Sequence, residues 1–230
     1  MLQQTQTSRV ETKFPEFLRR FPTITALSRA SLREVIAAWA GLGYNRRAIA
    51  LKTLADLIVR DHGGRLPRTR EGLLALPGIG PYTAGAIMVF ARNSPELLIE
   101  TNIRAVFIHE FFRGRTTVHD SEILPLIEAT VDRRHPREWY WGLMDYGVWL
   151  KARYRGIGQR SAHYVRATPF KGSRRELRGA LLRAITPAPV TVAALARVIE
   201  SPRGQIEACL AELADEGFIL RRGGRWEIAG

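Results

Sequence analysis

The sequence predicts a mainly α-helical protein that ends in a small unit of mixed α and β structure. Apolar residues recur at helical spacing along most of the 230 residues, and the strict alternation typical of half-buried strands is scarce. The pattern changes near the end, where residues 217–228 indicate a two-stranded hairpin that turns at Gly223-Gly224. With 46% hydrophobic and 25% charged residues, the chain has an ordinary globular composition and can form one substantial core or two modest domains.

Helix signals divide the first 150 residues. Ser31 and Glu34 have the spacing of a capping box, which predicts a helix through Trp39. A second helix is expected over residues 46–62, where Gly63-Gly64 stops it. Further helices are expected over residues 69–75, 81–92, 101–112, 121–132 and 138–151. We therefore predict one helical domain over residues 1–150.

The composition changes after Lys151. Residues 151–173 are basic, contain glycine and lack a helical period, so they are interpreted as a linker or an exposed loop. Residues 174–230 then predict three helices followed by the hairpin, which is the winged-helix pattern. The third helix of such a unit can read a DNA groove, but winged helices also serve as protein contacts, so both interpretations stay open.

The charge balance predicts a polyanionic partner. Thirty-five Lys and Arg against 22 Asp and Glu give a net charge of +13 and a pI near 10.9. Nucleic acid is the commonest polyanion for such a field, and a solvated basic surface is the alternative. A single cysteine, Cys209, excludes a disulfide framework within the chain and lies among apolar helical positions, which predicts a core thiol.

No metal is expected, because the five histidines lack metal-ligand spacing. The sequence contains no apolar stretch long enough to span a membrane, and residues 1–10 lack a signal-peptide core. A cytoplasmic, nucleoid-associated protein without membrane contact is therefore expected.

The most informative segment is LPGIGPYTAGAI, which begins at Leu76. Gly78 and Gly80 allow positive φ and a close backbone approach, and Pro81 suits the first position of a helix. The hairpin amides and the following helix N-terminus would converge on one phosphate oxygen. Glu100 follows on an acidic loop, and a backbone clamp for nucleic acid beside a lone carboxylate indicates an enzyme that acts on DNA.

This segment resembles the helix-hairpin-helix, Gly/Pro-Asp (HhH-GPD) superfamily of DNA glycosylases, and within it the A/G-specific adenine glycosylase (MutY) branch. Three other stretches agree in order and spacing: MLQQTQ at residues 1–6, GLGY at 41–44 with Arg46 behind it, and MDYG at 144–147. The resemblance covers about residues 1–150. It implies a helix-hairpin-helix glycosylase fold ahead of the winged-helix-like unit, and a monomer that binds double-stranded DNA containing a mispaired or damaged base.

The resemblance implies two catalytic residues. Glu100 occupies the place of the family's Asp, where a negative group stabilises the oxocarbenium-like sugar; the alternative is a helix cap for the helix beginning near Asn102. Tyr82 stands where bifunctional members carry their Schiff-base lysine, which implies a monofunctional enzyme. Tyr82 would pack against the flipped nucleotide, or else be an ordinary core aromatic.

The resemblance and the basic loop also imply the DNA contacts. The N-terminal amide side chains would fill the hole left by the flipped base, Tyr44 would wedge into the opposite strand or else pack in the core, and the loop arginines would grip phosphate or else be solvated. The expected DNA-binding residues are Gln3, Gln4, Thr5, Tyr44, Arg46, Leu76, Gly78, Gly80, Thr83, Arg155 and Arg160.

Three features depart from the family pattern. The four cysteines of the family's [4Fe–4S] cluster are absent, with Lys151, Gly158 and Ser161 near the expected positions, so no cofactor is expected. The family's general acid, a Glu, lies two residues before the methionine that matches Met1, which suggests a start assigned downstream or a truncated form. The family's Nudix-like C-terminal domain, which recognises 8-oxoguanine, is replaced by the winged-helix-like unit.

The expected activity is hydrolysis of the N-glycosidic bond of a mispaired adenine opposite guanine or 8-oxoguanine. Two alternatives remain open at this point. One is a thymine or uracil mismatch glycosylase, which shares the tyrosine at the position of Tyr82; the other is a DNA-binding member of the family without glycosylase chemistry.

Overall fold

A computed structural model describes residues 1–166 and 168–230. Over this part of the chain the mainly α-helical class is confirmed, with one two-stranded antiparallel sheet. None of the described helices is long and apolar enough to cross a membrane. The helices are α1 (Thr7–Arg20), α2 (Ile24–Arg29), α3 (Leu32–Trp39), α4 (Arg46–His62), α5 (Arg70–Leu74), α6 (Pro81–Ala86), α7 (Thr101–Phe111), α8 (Asp120–Thr130), α9 (Pro136–Arg153), α10 (Arg174–Ile185), α11 (Val192–Val198) and α12 (Arg203–Asp215). The strands are β1 (Ile219–Arg222) and β2 (Arg225–Ile228).

The contacts divide the chain into two units. The first unit combines Met1–Leu66 with Thr168–Gly230, and the second unit is Pro67–Ala167. The domain boundaries expected from the sequence, at residues 150 and 173, stay a prediction. They concern which segments can fold independently, and a division by contacts does not test that.

In the first unit, α3 is buried on two sides. Val35 and Trp39 face a core formed with α1, α2 and α4, whereas Ile36 faces the core of the C-terminal helices. The predicted capping box at Ser31 is confirmed: the Glu34 amide donates to Ser31 Oγ at 3.3 Å, and the Ser31 amide donates to Glu34 Oε2 at 2.9 Å. Helix α3 therefore contributes both to the core of the N-terminal helices and to the core of the C-terminal segment.

The C-terminal segment has the predicted three helices and hairpin. Gly223 and Gly224 have φ of +55° and +78°, the left-handed values that a two-residue turn between antiparallel strands requires. Val190 and Trp226 exchange two backbone hydrogen bonds, of 2.8 and 3.0 Å, which tie β2 to the chain ahead of α11. Cys209 is buried in this core, as the sequence predicted.

In the second unit, α7 is the central helix and packs along α9. The helix predicted over residues 81–92 is α-helical only to Ala86 and continues as a π-helical turn, Ile87–Ala91, a feature frequently found at functional sites. Tyr140 is fully buried on α9, where its hydroxyl accepts a hydrogen bond from the Leu98 amide at 2.9 Å and donates to the Glu96 carbonyl at 2.8 Å. These bonds hold the chain leading to α7 against the core.

One ion-pair network ties α12 to α4 and α10. Glu216 accepts two hydrogen bonds from Arg46, at 2.7 and 2.9 Å, and a third from Arg178 at 2.5 Å. The hydrogen bond from Arg46, together with that from Arg178 and the charges of both arginines, lowers the pKa of Glu216 to about 2. The ionised form of Glu216 is therefore favoured more strongly in the folded chain than in the unfolded chain, and its ionisation stabilises the fold.

We expect Glu216→Gln to lower the free energy of unfolding at pH 7 by about 1–3 kcal/mol, after allowing for solvent screening at the exposed Arg46. Because the folded pKa is depressed, this stabilisation is present above the unfolded pKa near 4.5 and is lost as the pH falls toward about 2. The free energy of unfolding, measured with urea over this pH range, should therefore depend less on pH in the variant than in the wild type. Glu207→Gln, an exposed acid of α12, is the control; equal pH dependence in all three proteins would contradict the assignment.

Candidate functional site

The hairpin between α5 and α6 presents exposed backbone. Gly78 has φ of +75° and needs glycine, whereas Gly80 has φ of −89° and does not, so the expected positive φ is wrong for Gly80. A Cβ at Gly80 would meet nothing within 4 Å, which leaves the approach to its backbone open. Pro81 begins α6, as predicted, and Thr83 is half-buried on that helix.

Leu76 anchors this hairpin to the core. Its side chain is only 4% exposed, because it packs inward at the end of α5, and its carbonyl accepts from the Ile79 amide at 3.3 Å. The DNA contact predicted for Leu76 is therefore restricted to its backbone.

Glu100 is the N-cap of α7. Its Oε1 accepts from the Asn102 and Ile103 amides at 2.7 and 3.0 Å, and its Oε2 accepts from Thr101 Oγ1 and Asn102 Nδ2 at 3.0 and 3.3 Å. The capping interpretation of Glu100 is thus correct as geometry. A carboxylate offers about four lone-pair sites, so nearly its whole acceptor capacity is used within its own turn. The side chain is held as a fixed negative charge at a helix N-terminus, where the helix dipole favours it.

The Tyr82 hydroxyl interacts electrostatically with this carboxylate. Burial raises the pKa of the Tyr82 hydroxyl, and the negative charge of Glu100 raises it further. The ring is nevertheless 41% exposed, which argues against the core-aromatic alternative. The two residues predicted to be catalytic therefore both lie in the second unit, and Tyr82 stays protonated at neutral pH.

Asn102 is a site residue that the sequence reasoning missed. Its Nδ2 donates to Glu100, but its Oδ1 is buried and has no hydrogen-bond partner among the described residues. Leaving a buried acceptor unpaired costs about 1–3 kcal/mol, so this turn of the fold carries a local energetic cost beside the catalytic candidate Glu100. In the sequence, the one indication of Asn102 was its position two residues after Glu100, in the same acidic loop.

Gly147 explains why α9 can approach this site. A Cβ at Gly147 would lie 2.4 Å from the Asn102 carbonyl oxygen and 2.7 Å from Asn102 Cβ, far inside contact distance. Only glycine allows α9 to pack this closely on the first turn of α7. The glycine of the MDYG stretch therefore sets the position of the turn that carries Glu100 and Asn102.

The basic segment after α9, interpreted from the sequence as a linker or an exposed loop, is fastened to the second unit. Arg160 donates from Nε to the Arg115 carbonyl at 2.6 Å and from Nη2 to the Phe112 carbonyl. Val118 and Ser161 form a parallel bridge beside these bonds. Two donors of the Arg160 guanidinium are thus used on carbonyls that follow α7, and the phosphate contact predicted for Arg160 stays a prediction.

The residues present here do not fit the family's iron–sulfur cluster. Such a cluster is held by cysteine thiolates, and the chain's one cysteine, Cys209, is buried in the first unit. The described residues contain no group of three or more His, Cys, Asp or Glu arranged to hold a metal ion. Backbone pairing and the Arg160 hydrogen bonds hold the segment instead.

In the first unit, Arg47 organises the predicted DNA-contacting residues. It donates to the carbonyls of Met1 and Gln3 at 2.7 and 2.6 Å and to Thr5 Oγ1 at 2.8 Å. Its guanidinium also lies 5.6 Å from the centre of the Tyr44 ring. The sequence analysis did not select Arg47, because the family motif pointed to Arg46. The contacts of Arg47 explain how the N-terminal residues are held in place.

Two of these residues have strained backbones. Gln4 and Tyr44 have φ of +55° and +46°, values that are uncommon for residues other than glycine and that concentrate at functional sites. Both line a groove of about 490 Å³, together with Thr5, Arg9 and Arg175 of α10. Arg175 Nη1 lies 3.3 Å from the Tyr44 hydroxyl oxygen. No acidic residue is among those described as lining the groove, so its charge suits an anionic ligand.

Arg46 lies outside this groove. Its guanidinium is paired with Glu216, although 75% of the side chain is exposed. A phosphate contact at Arg46 stays a prediction, and it would compete with this ion pair. Arg155 is exposed in the basic segment of the second unit.

We expect Arg160→Ala to lower the free energy of unfolding by about 1.5–3 kcal/mol, because two carbonyls lose a charged donor. Arg155→Ala removes the same charge from the same segment and should change stability by less than about 0.5 kcal/mol. Urea unfolding of the two variants measures this difference. Unchanged stability with weaker DNA binding in Arg160→Ala would restore the original phosphate assignment.

Comparison with known proteins agrees with this geometry. The family model described as HhH-GPD superfamily base excision DNA repair protein matches residues 1–165. The adenine DNA glycosylase of Mycobacterium tuberculosis (strain ATCC 25618 / H37Rv) is 31% identical over 256 residues, covering 100% of this chain and 83% of the relative. The adenine DNA glycosylase of Homo sapiens is 35% identical over 152 residues, covering 64% of this chain and 28% of the relative.

A solved structure shares the architecture. A thermostable thymine-DNA glycosylase superposes with a TM-score of 0.56 at 28% identity, covering 64% of this chain and 69% of that chain. The family match spans more than half of the chain and includes the hairpin, the Glu100 turn and the Gly147 contact. The chain therefore belongs to the HhH-GPD superfamily of base excision DNA repair proteins.

Proposed function

We propose that this protein is a monofunctional DNA glycosylase that hydrolyses the N-glycosidic bond of adenine mispaired with guanine or 8-oxoguanine. The observation that carries the proposal is the Glu100 carboxylate, fixed by four donors on the first turn of α7. The similarity to adenine DNA glycosylases along the whole chain supports adenine as the base.

Glu100 would act as a preorganised charge. Hydrolysis of a glycosidic bond passes through an oxocarbenium-like sugar, and a fixed anion near that sugar stabilises the positive charge as it develops. Because hydrogen bonds already orient Glu100, little reorganisation is needed at the moment of reaction.

Tyr82 supports the monofunctional assignment. Cleavage of the DNA strand through a Schiff base requires an amine that attacks the sugar, and a phenol cannot form an imine. With its pKa raised by burial and by Glu100, the Tyr82 hydroxyl remains a hydrogen-bond donor at neutral pH. Its exposed ring offers a surface for the extruded nucleotide, which must leave the stack before its bond can be hydrolysed.

The DNA contacts are assigned to both units. The open backbone of the 76–80 hairpin would hold a phosphate of the target strand through its amides. The basic groove that holds Gln4, Tyr44 and Arg175 would contact the duplex near the lesion. The proposed enzyme acts as a monomer at the nucleoid in the cytoplasm and needs no cofactor.

The test is single-turnover base release from duplexes containing A:G, A:8-oxoguanine, T:G or U:G. Release of adenine alone, without strand cleavage, is the expected result. Glu100→Gln should reduce that release by at least about 100-fold while binding to the same duplex survives, because the charge is lost but the amide oxygen can still accept from the Asn102 and Ile103 amides. Release of thymine or uracil instead would assign the pyrimidine mismatch activity.

Thr101→Val is the control for Glu100→Gln, because it removes one donor to Oε2 and leaves the charge in place. Unchanged release by Glu100→Gln would remove the carboxylate from the mechanism. Tight binding to mismatched duplexes without release of any base would leave a DNA-binding protein without glycosylase chemistry.

We expect Gly147→Ala to slow base release by about 10- to 100-fold, because the added methyl displaces the turn that carries Glu100 and Asn102. Gly142→Ala is the matched control: it lies on the same helix, and a Cβ there meets nothing within 4 Å. Affinity for the mismatched duplex, measured beside the release rate, should change little in either variant. Equal release rates for the two variants would contradict the positioning role.

A further inference from the structure

The β1–β2 hairpin carries three exposed arginines: Arg221, Arg222 and Arg225. Arg222 and Arg225 are direct cross-strand partners on either side of the glycine turn. Like charges opposite each other destabilise a hairpin. The nearest acid, Glu227, is 3.7 Å from Arg222, whose side chain remains 81% exposed. An ion pair at this distance and exposure offsets little of the repulsion, and a bound anion would offset more of it.

The hairpin holds these arginines on a rigid support. Trp226 pairs with Val190 through two backbone hydrogen bonds, and the Arg221 guanidinium lies 5.9 Å from the centre of the Trp226 ring. Ile219 and Ile228, at the base of the strands, are buried in the core. The arginines therefore project from a strand pair anchored at three places, which lowers the entropy lost when they bind a partner.

The neighbouring helix α12 has the opposite charge character. Glu207 and Asp215 are exposed on it, and its one basic residue, Arg203, is paired with Glu207 at 2.9 Å. Glu212 is paired with Arg174 and Arg178 of α10. The one cation of α12 is thus already paired, and a helix without a free cation gains little from DNA phosphates, so the groove-reading alternative for this helix is unfavourable here.

We propose that the β1–β2 hairpin binds the phosphate backbone of duplex DNA through Arg221, Arg222 and Arg225, and that α12 stays outside the grooves. Phosphates between the facing arginines would relieve their repulsion and release counterions. Contacts of this kind fix a protein on the duplex but read no sequence. The hairpin would thus add affinity for DNA of any sequence, independently of the proposed glycosylase chemistry.

The test compares two double variants of the full chain on an undamaged duplex of about 30 base pairs, with affinity measured between about 50 and 200 mM salt. Arg222→Ala/Arg225→Ala should weaken binding by about 10- to 100-fold at 100 mM salt and make the log–log salt slope shallower by about 2. Its unfolding midpoint should stay the same or rise, because the repulsion between the two arginines is gone. The control Arg197→Ala/Arg203→Ala removes two arginines from α11 and α12 and should leave affinity within about threefold.

Loss of affinity in the hairpin variant alone, with its fold intact by circular dichroism, supports the proposal. Equal losses in both variants would reduce the effect to overall charge and overturn it. A loss confined to the control would assign DNA binding to α11 and α12 instead, and unchanged binding in both would direct the hairpin toward a partner other than DNA. The undamaged duplex contains no excisable mispair, so none of these failures touches the proposed base release.

Discussion

The close approach of α9 to the first turn of α7 is the constraint on which the candidate site depends. Gly147 lets the two backbones meet at Asn102, and that turn is also the one that Glu100 caps. Packing and capping therefore act on the same four residues. The buried Tyr140 holds the preceding chain through two hydrogen bonds, so the turn is supported from both ends. A carboxylate held in this way can act through its position and charge, with little rearrangement during catalysis.

Arginine has two different roles in this basic chain. Arg47 and Arg160 donate to backbone carbonyls and fasten irregular segments to helices, and Arg46 is paired with Glu216. The guanidinium suits this work because its five donors can satisfy several acceptors at once. Other arginines, including Arg222 and Arg225 on the hairpin, remain exposed. Some of the 35 Lys and Arg residues are therefore already used within the fold, and the exposed ones remain for DNA.

The C-terminal segment has the winged-helix order of elements but an unusual distribution of charge on its surface. Its three helices and hairpin follow the winged-helix order, yet α12 exposes acids and the hairpin exposes bases. Its core also includes Ile36 of α3, so the segment shares its packing with the N-terminal helices. The groove next to α10 combines Arg175 with the strained Gln4 and Tyr44. In this arrangement the C-terminal helices contribute directly to the surface that we assign to DNA.

The sequence by itself determined the helical class, the hairpin ahead of Pro81 and the Gly223-Gly224 turn, and it singled out Glu100 and Tyr82 as catalytic candidates. These features depend on local backbone preferences, hydrophobic periodicity and motif spacing, which a linear sequence contains. Only the tertiary structure decided that Leu76 is buried, that Arg160 binds carbonyls, that Arg47 organises the N-terminal residues, and that Asn102 and Gly147 belong to the site. Whether an arginine meets a phosphate or a carbonyl depends on which groups long-range packing brings within hydrogen-bond distance, and residue type alone does not contain that information.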